Sequence, residues 1–355
     1  MEKMPASKSL APEGVPEPGS GAATSPGHAP GLIWAFRFHA DGSSEELSEC
    51  AVPGEDAADG EDGWLWMHFN LADARLAPYL RERVEGIPPA AVEQLLCLGD
   101  HQQLHTEGRC IYGVFADLVL RLDGLTDDLA FLHFAGNEKL LLTGRREWLN
   151  SVEATRKVLR SGRKIATPGA LMETILNKVA SGVEKRADVL ANTLDIVEER
   201  LIANQESAHP ERLARVRRLA LRLHRLLSTQ RSLLNRFERR AWRHSNGKPA
   251  IDASRLSQRL DWLDHEMVSL RDRAHLLQEE VSLKMTGETN RNLQLLAIVT
   301  TVFLPATLVP AIFGMNVGGL PLENDRDGFI WAIVILVIAS GLVFWILRRL
   351  GLFRR

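Results

Sequence analysis

The sequence predicts an α+β chain: an N-terminal α/β domain, a long helical stalk and two C-terminal transmembrane helices. Three observations carry this. Strand-like and helix-like runs mix between residues 31 and 165, a 4-3 apolar repeat dominates 166–290, and 291–355 holds two long uncharged runs. At 25% charged and 45% apolar the average is that of a water-soluble protein, but the charges are segregated away from the C-terminal runs.

Residues 1–30 carry Pro5, Pro12, Pro16, Pro18, Pro26 and Pro30 among Gly, Ala and Ser. Such a segment cannot bury enough apolar surface to offset its ordering entropy, so a disordered tail is expected. It lacks a basic stretch followed by an apolar one, and no signal peptide is expected. In 31–165 the runs LIWAFRF, GWLWMHFNL, IYGVFADLVL and KLLLTG read as strands, with helices at Leu71–Leu80 and Pro88–Leu98. Trp64, Trp66 and Phe69 read as core. His101 and His105 stand four apart, a spacing that holds zinc on a helix, but EGRCIYGVF just after them reads as a strand entrance.

After Thr167-Pro168 the pattern is helical. Leu213, Val216, Ala220, Leu223 and Leu227 recur at three and four, and Leu256, Leu260, Leu263, Met267, Leu270, Ala274, Leu277 and Val281 repeat the same alternation. One continuous helix from Asp252 to Phe313 is expected, about 90 Å long at 1.5 Å per residue, and its apolar stripe needs partner helices. The arginine-rich helix from Glu211 to Arg243 has two readings: phosphate neutralisation on a nucleic acid, or a solvated face paired with Glu184, Asp188, Asp195, Glu198 and Glu199 of the preceding helix. The second is preferred, and no nucleic-acid partner is expected. Asp261, Asp264 and His265 share a helical face that could bind a divalent ion, a weak candidate; exposed stalk polarity is the preferred reading.

Leu293–Phe313 and Phe329–Leu347 contain no Asp, Glu, Lys, Arg or His. As helices each spans about 30 Å, the hydrocarbon thickness of a bilayer, so transmembrane helices are expected at about 291–313 and 329–347. The chain ends in Arg348, Arg349, Arg354 and Arg355, whereas the connector holds Glu323, Asp325 and Asp327 against Arg326. Positive-inside bias places both termini in the cytoplasm and the acidic connector outside. Cys50, Cys97 and Cys110 form no CxxC pair and suit a reducing compartment.

Between the two runs lies FGMNVGGLP. Unpaired backbone is costly in hydrocarbon, so an unwound Gly314-Met315-Asn316 belongs at the interface or at a water-filled mouth. The Asn316 carboxamide accepts from hydrating water without the charge that would trap a divalent cation, while Glu323, Asp325 and Asp327 would concentrate cations outside. A simple hairpin turn is the alternative.

GMN directly after the first of two C-terminal spans, following a large polar region and a long helix, resembles the CorA superfamily of divalent-cation transporters. The stretch FLPATLVPAIFGMNVGGLP is more similar to its zinc-transport, ZntB-like branch than to its magnesium branch. The resemblance implies an inner-membrane homopentamer, a funnel of cytoplasmic α/β domains above five first transmembrane helices, with Asn316 at the outer entrance. It also implies that Asn290, Leu293, Leu296, Thr300, Leu304 and Thr307 face the axis, a spacing of three and four that suits one helical face. The leucines are then gate candidates and the threonines polar steps. Arg255 stands where the magnesium branch has a regulatory acid.

The transported ion implied is zinc, with magnesium, cobalt or nickel as the alternative within the superfamily. A membrane-tethered coiled-coil scaffold or sensor is the alternative outside it. No nucleophile–base arrangement or phosphate loop emerges, so neither an enzyme nor a resident cofactor is expected. Neither span offers zinc a thiolate, imidazole or carboxylate, and neither carries a titratable proton relay. Any proton coupling is therefore expected in the cytoplasmic region or the loop, cytoplasmic histidines included.

Overall fold

The computed structural model describes residues 29–47, 63–99, 101–121, 124–203, 210–244, 253–315 and 328–349. Two compact units emerge: Met1–Asp188 with Leu221–Val268, and Val189–Ala220 with Ser269–Arg355.

The first unit is organised on a seven-stranded sheet. In chain order its strands are β1 (Leu32–Phe38), β2 (Ser44–Leu47), β3 (Trp64–Asn70), β4 (Gln103–Glu107), β5 (Cys110–Arg121), β6 (Gly124–Gly136) and β7 (Leu140–Arg145). The spatial order is β2-β1-β3-β7-β6-β5-β4. Only β3–β7 is parallel, with Met67 opposite Leu142; the other pairs are antiparallel. The four strands expected from the sequence are present, and β2, β4 and β6 are additional.

Both faces of the central strands are buried, as their near-continuous apolar runs require. On one face Leu65, Met67, Phe69 and Ala35 pack with Leu76 and Leu80 of α1 (Leu76–Arg83) and Ala91, Val92 and Leu95 of α2 (Pro89–Leu96). On the other, Trp34, Phe36, Phe38, Trp64 and Trp66 form an aromatic layer, with Phe38 stacked on Trp64 at 3.8 Å. Trp64, Trp66 and Phe69 are thus core, though on opposite faces. Helix α1 starts later than the expected Leu71. The Asn70 side chain accepts from Ala72 N at 3.0 Å and Asp73 from Arg75 N at 3.0 Å, and these Asx turns hold the chain out of the helix.

An α3 (Asn150–Arg160) that the sequence reading did not contain follows β7. Its amino end has no cap of its own; Asp117 of β5 supplies one, accepting from Ser151 N at 2.8 Å while also holding Leu118 N at 2.8 Å. Burial pushes the Asp117 carboxyl up to about 6, partly opposed by these hydrogen bonds.

Three long helices follow: α4 (Pro168–Ile202), α5 (Pro210–His244) and α6 (Ala253–Phe313). Pro168 opens α4, and Thr167 Oγ1 accepts from Ala170 N at 3.1 Å, closing its first turn. The stripe from Leu256 to Val281 is buried at every one of its eight repeat positions, so the 61-residue α6 is the single helix expected. Last comes α7 (Gly328–Arg349).

Candidate functional site

The candidate site lies on the carboxyl half of α6, in the second unit. Asn290, Leu293, Leu296, Thr300, Leu304 and Thr307 all fall in exposed positions. At about 100° per residue they occupy one arc of roughly 120°. Leu293, Leu296 and Leu304 are 57%, 63% and 62% exposed, far beyond what leucines keep in water without a partner. Only 6% of the most apolar window of α6, and 0% of that of α7, is buried within the chain. These surfaces must be covered by lipid, by other helices, or by both.

The threonines on this arc are chemically specific. Thr300 Oγ1 donates to Leu296 O at 2.8 Å, and Thr307 Oγ1 donates to Phe303 O at 3.2 Å and Leu304 O at 3.1 Å. Their protons are spent on their own helix, so the hydroxyl oxygens keep lone pairs that can accept from water. Pro305 and Pro310 lie inside α6 and lack the N–H groups that Thr301 and Ala306 carbonyls would otherwise receive. The helix nevertheless continues through both.

Gly314 ends it. Its N–H reaches Pro310 O at 2.8 Å and Met315 N reaches Ile312 O at 3.4 Å, a tightening typical of a last turn. A Cβ at Gly314 would lie 3.1 Å from Pro310 O, so a side chain would crowd the carbonyl that closes the turn. Met315, just beyond it, is 56% exposed. Asn316, Glu323, Asp325 and Asp327 lie outside the described residues. At the far end of α7 the Arg349 guanidinium sits 5.3 Å from the Trp345 ring centroid, an aromatic and cationic anchor of the kind found at a membrane interface.

The weak metal candidate on α6 takes a different form. Asp264 is buried and its Oδ1 lies 2.6 Å from His224 Nδ1 on α5, while Asp261 pairs with Arg231 and holds His265 Nδ1 through its backbone oxygen at 2.8 Å. The three side chains do not converge. Asp264 is therefore neither a ligand set member nor exposed stalk polarity; it is a helix–helix hydrogen bond, whose partner His224 is 40 residues away and had no signature in sequence. His105 lies on β4, stacked at 5.4 Å on Tyr112. Among the described residues no group of three or more His, Cys, Asp or Glu is placed to hold a metal ion.

The expected pairing of α4 acids with α5 arginines is also corrected. Glu184 pairs with Arg259 at 2.8 Å and Asp195 with Arg273 at 2.7 Å; Glu198 also takes Arg273. Both arginines belong to α6, which the acids of α4 face. Elsewhere in the first unit His68 is fully buried, stacked on Trp34 at 4.5 Å, with Nδ1 2.8 Å from Thr143 Oγ1. Burial, then the Arg145 and Arg156 charges, hold its pKa well below the usual histidine range, so it is a neutral core imidazole.

A family model described as CorA-like Mg2+ transporter protein matches residues 61–349. The chain is 26% identical over 323 residues to the divalent cation transporter CmaX of Pseudomonas aeruginosa, covering 90% of this chain and 96% of that one. It is 24% identical over 325 residues to the zinc transport protein ZntB of Yersinia enterocolitica, covering 88% and 94%. The solved structure of full-length CmaX superposes with a TM-score of 0.75 at 23% identity, over 92% of this chain and 99% of that one.

Proposed function

This chain belongs to the CorA superfamily of divalent-cation transporters, and from that premise we propose that it is a homopentamer of the inner membrane that conducts zinc along an axis lined by α6. Its chemistry is transport and not enzymatic catalysis. The observation that supports the reading is that α6 from Leu293 to Phe313 is uncharged and largely exposed in one copy, with Thr300 and Thr307 falling on the same arc as Leu293, Leu296 and Leu304 and presenting acceptor oxygens. Five such faces around an axis supply apolar rings that resist wetting when narrow and polar steps that a hydrated ion passes without being trapped. The excess of Arg after α7 supports cytoplasmic termini, with Gly314-Met315-Asn316 and the acids Glu323, Asp325 and Asp327 outside.

Zinc is preferred for the VGGLP continuation after the mouth, and a relative named for zinc transport supports it. Magnesium is the second reading, favoured by the description of the matching family model. The test is Asn316→Ala reconstituted in liposomes. Zinc flux should fall to the level of protein-free vesicles while the oligomer's mass by light scattering is unchanged; undiminished flux would sink the assignment of the mouth.

A further inference from the structure

A cleft of about 630 Å³ opens in the first unit between the α3–α4 connection, the first turns of α4 and the start of α6. Its lining sets five cationic side chains, Arg163, Lys164, Lys178, Arg255 and Arg259, against the single carboxylate of Glu173. Two acids outside the lining neutralise part of this: Asp41 holds Lys164 at 2.7 Å and Glu184 holds Arg259 at 2.8 Å. The positive charge open to a ligand then rests on Arg163 and Lys178. Arg163 and Lys178 make no ion pair among the described residues.

We propose that this cleft binds a compact, multiply charged oxyanion of the phosphate class, pyrophosphate-like in size. The division of labour follows from the hydrogen bonds. Arg259 spends Nη1 on Asn177 O and Oδ1, both at 3.2 Å, and Nη2 on Ser181 Oγ at 2.9 Å and on Glu184. Fixed in this way, it contributes a stationary positive field at the floor and few donors. Arg163, exposed near the start of the α3–α4 connection, and Lys178, half-buried on α4, have donors to give to a ligand. Ala170, in the first turn of the 35-residue α4, brings the positive end of that helix to the same wall.

The lining also selects the size of the ligand. Its apolar part is Ile165 with two alanines, and no aromatic ring is present on which a nucleobase would stack. A nucleotide would gain nothing from its base here, so the phosphates alone are the recognised element. With one carboxylate against several cations, the lining repels transported cations, which separates it from the proposed pathway on α6.

Calorimetry on the detergent-purified full-length protein, with metals chelated, tests this using pyrophosphate, inorganic phosphate and ATP as probes. Saturable pyrophosphate binding is expected, with ATP no tighter and inorganic phosphate weaker. Arg163→Gln and Lys178→Gln should each weaken it about tenfold or more, the loss of one charge-assisted contact. Raising salt should weaken it further. Both variants change side chains outside the core, and unchanged unfolding temperatures would show that the fold persists; should one variant misfold, the other carries the test. Absence of saturable binding, unaltered affinity in a folded variant, or ATP binding far more tightly than pyrophosphate would each overturn the proposal. So would a map of the intact oligomer with acidic side chains of a neighbouring copy filling the cleft.

Discussion

The His224–Asp264 contact makes a quantitative prediction about which of two deletions costs more. The Asp264 side chain is 9% exposed and that of His224 is 30% exposed, and His224 Nδ1–H is the hydrogen-bond donor to the carboxylate among the described residues. His224→Ala leaves a buried carboxylate without its donor, a cost of about 3–5 kcal/mol. Asp264→Ala leaves an imidazole that can turn its N–H to water, so the cost stays nearer about 1 kcal/mol. At roughly 2–4 °C per kcal/mol for a unit of this size, His224→Ala should lower the unfolding temperature by about 10 °C and Asp264→Ala by about 3 °C. The double variant should cost less than the sum, because the orphaned charge is gone. Thermal unfolding of the purified protein, with and without added zinc, reads all three. If Asp264→Ala proved the more damaging change, or if zinc raised the unfolding temperature of the natural protein but not of Asp264→Ala, Asp264 would be a metal ligand and the helix–helix reading would fail.

Asp117 should make the first unit more stable on mild acidification. Its folded pKa of about 6 stands above the ordinary 3.8, so folding takes up a proton between these values, and a burial penalty of about 3 kcal/mol is present above pH 6 and relieved as pH falls toward 4. Salt-bridged Glu46, with its pKa lowered by Arg160, contributes in the opposite sense, so the informative quantity is the difference in unfolding temperature between the natural protein and Asp117→Asn, which should widen in favour of Asp117 as pH drops; a difference independent of pH would contradict the buried ionisation. In the proposed pentamer, Leu304→Ser should raise resting zinc flux into liposomes, since it would replace a ring of apolar side chains by hydroxyls. A barrier lower by only about 1.4 kcal/mol gives a tenfold increase; unchanged or reduced flux in an intact oligomer would remove Leu304 from the gate.

What was legible in the sequence is what one element decides by itself. Strands β1, β3, β5 and β7 are buried on both faces or nearly so, and their apolar runs announce them. Strand β2 (SEEL) and strand β4 (QLHTE) are polar edge strands whose pairing depends on a neighbour's backbone. Strand β6 begins with Gly124, Asp127 and Asp128, and its charges make sense only once Asp127 meets Arg186 and Asp128 meets Arg121. Helix α3 buries Thr155, whose hydroxyl donates to Ser151 O at 2.8 Å, so its buried face does not read as apolar, and its cap comes from a strand 34 residues away. The same limit governs the candidate site. The arc from Leu293 to Thr307 follows from helical period alone, whereas the true partner of Asp264 and the acid–arginine pairs of α4 and α6 depend on which helices pack together.

The α6 face also constrains how selectivity arises. Zinc is distinguished from magnesium by its appetite for nitrogen and sulfur donors, yet from Leu293 to Phe313 α6 offers only hydroxyl oxygens, backbone carbonyls and the Gln294 amide. If α6 lines the pathway as proposed, neither ion would exchange its water for a preferred ligand there, and size and hydration strength would be the handles left within the membrane. On that proposal, discrimination between the two would be imposed at the Asn316 carboxamides or in the region before α6, outside the uncharged passage. Proton coupling is confined in the same way. Neither span contains a titratable side chain, and His68, locked neutral in the core against Trp34 and Thr143, is removed from the candidates. The titratable groups that remain lie in the loop and elsewhere outside the spans, the exposed His39, His101, His105, His265 and His275 among them, so any coupling in the proposed transporter would act on ions before or after the uncharged passage and not within it.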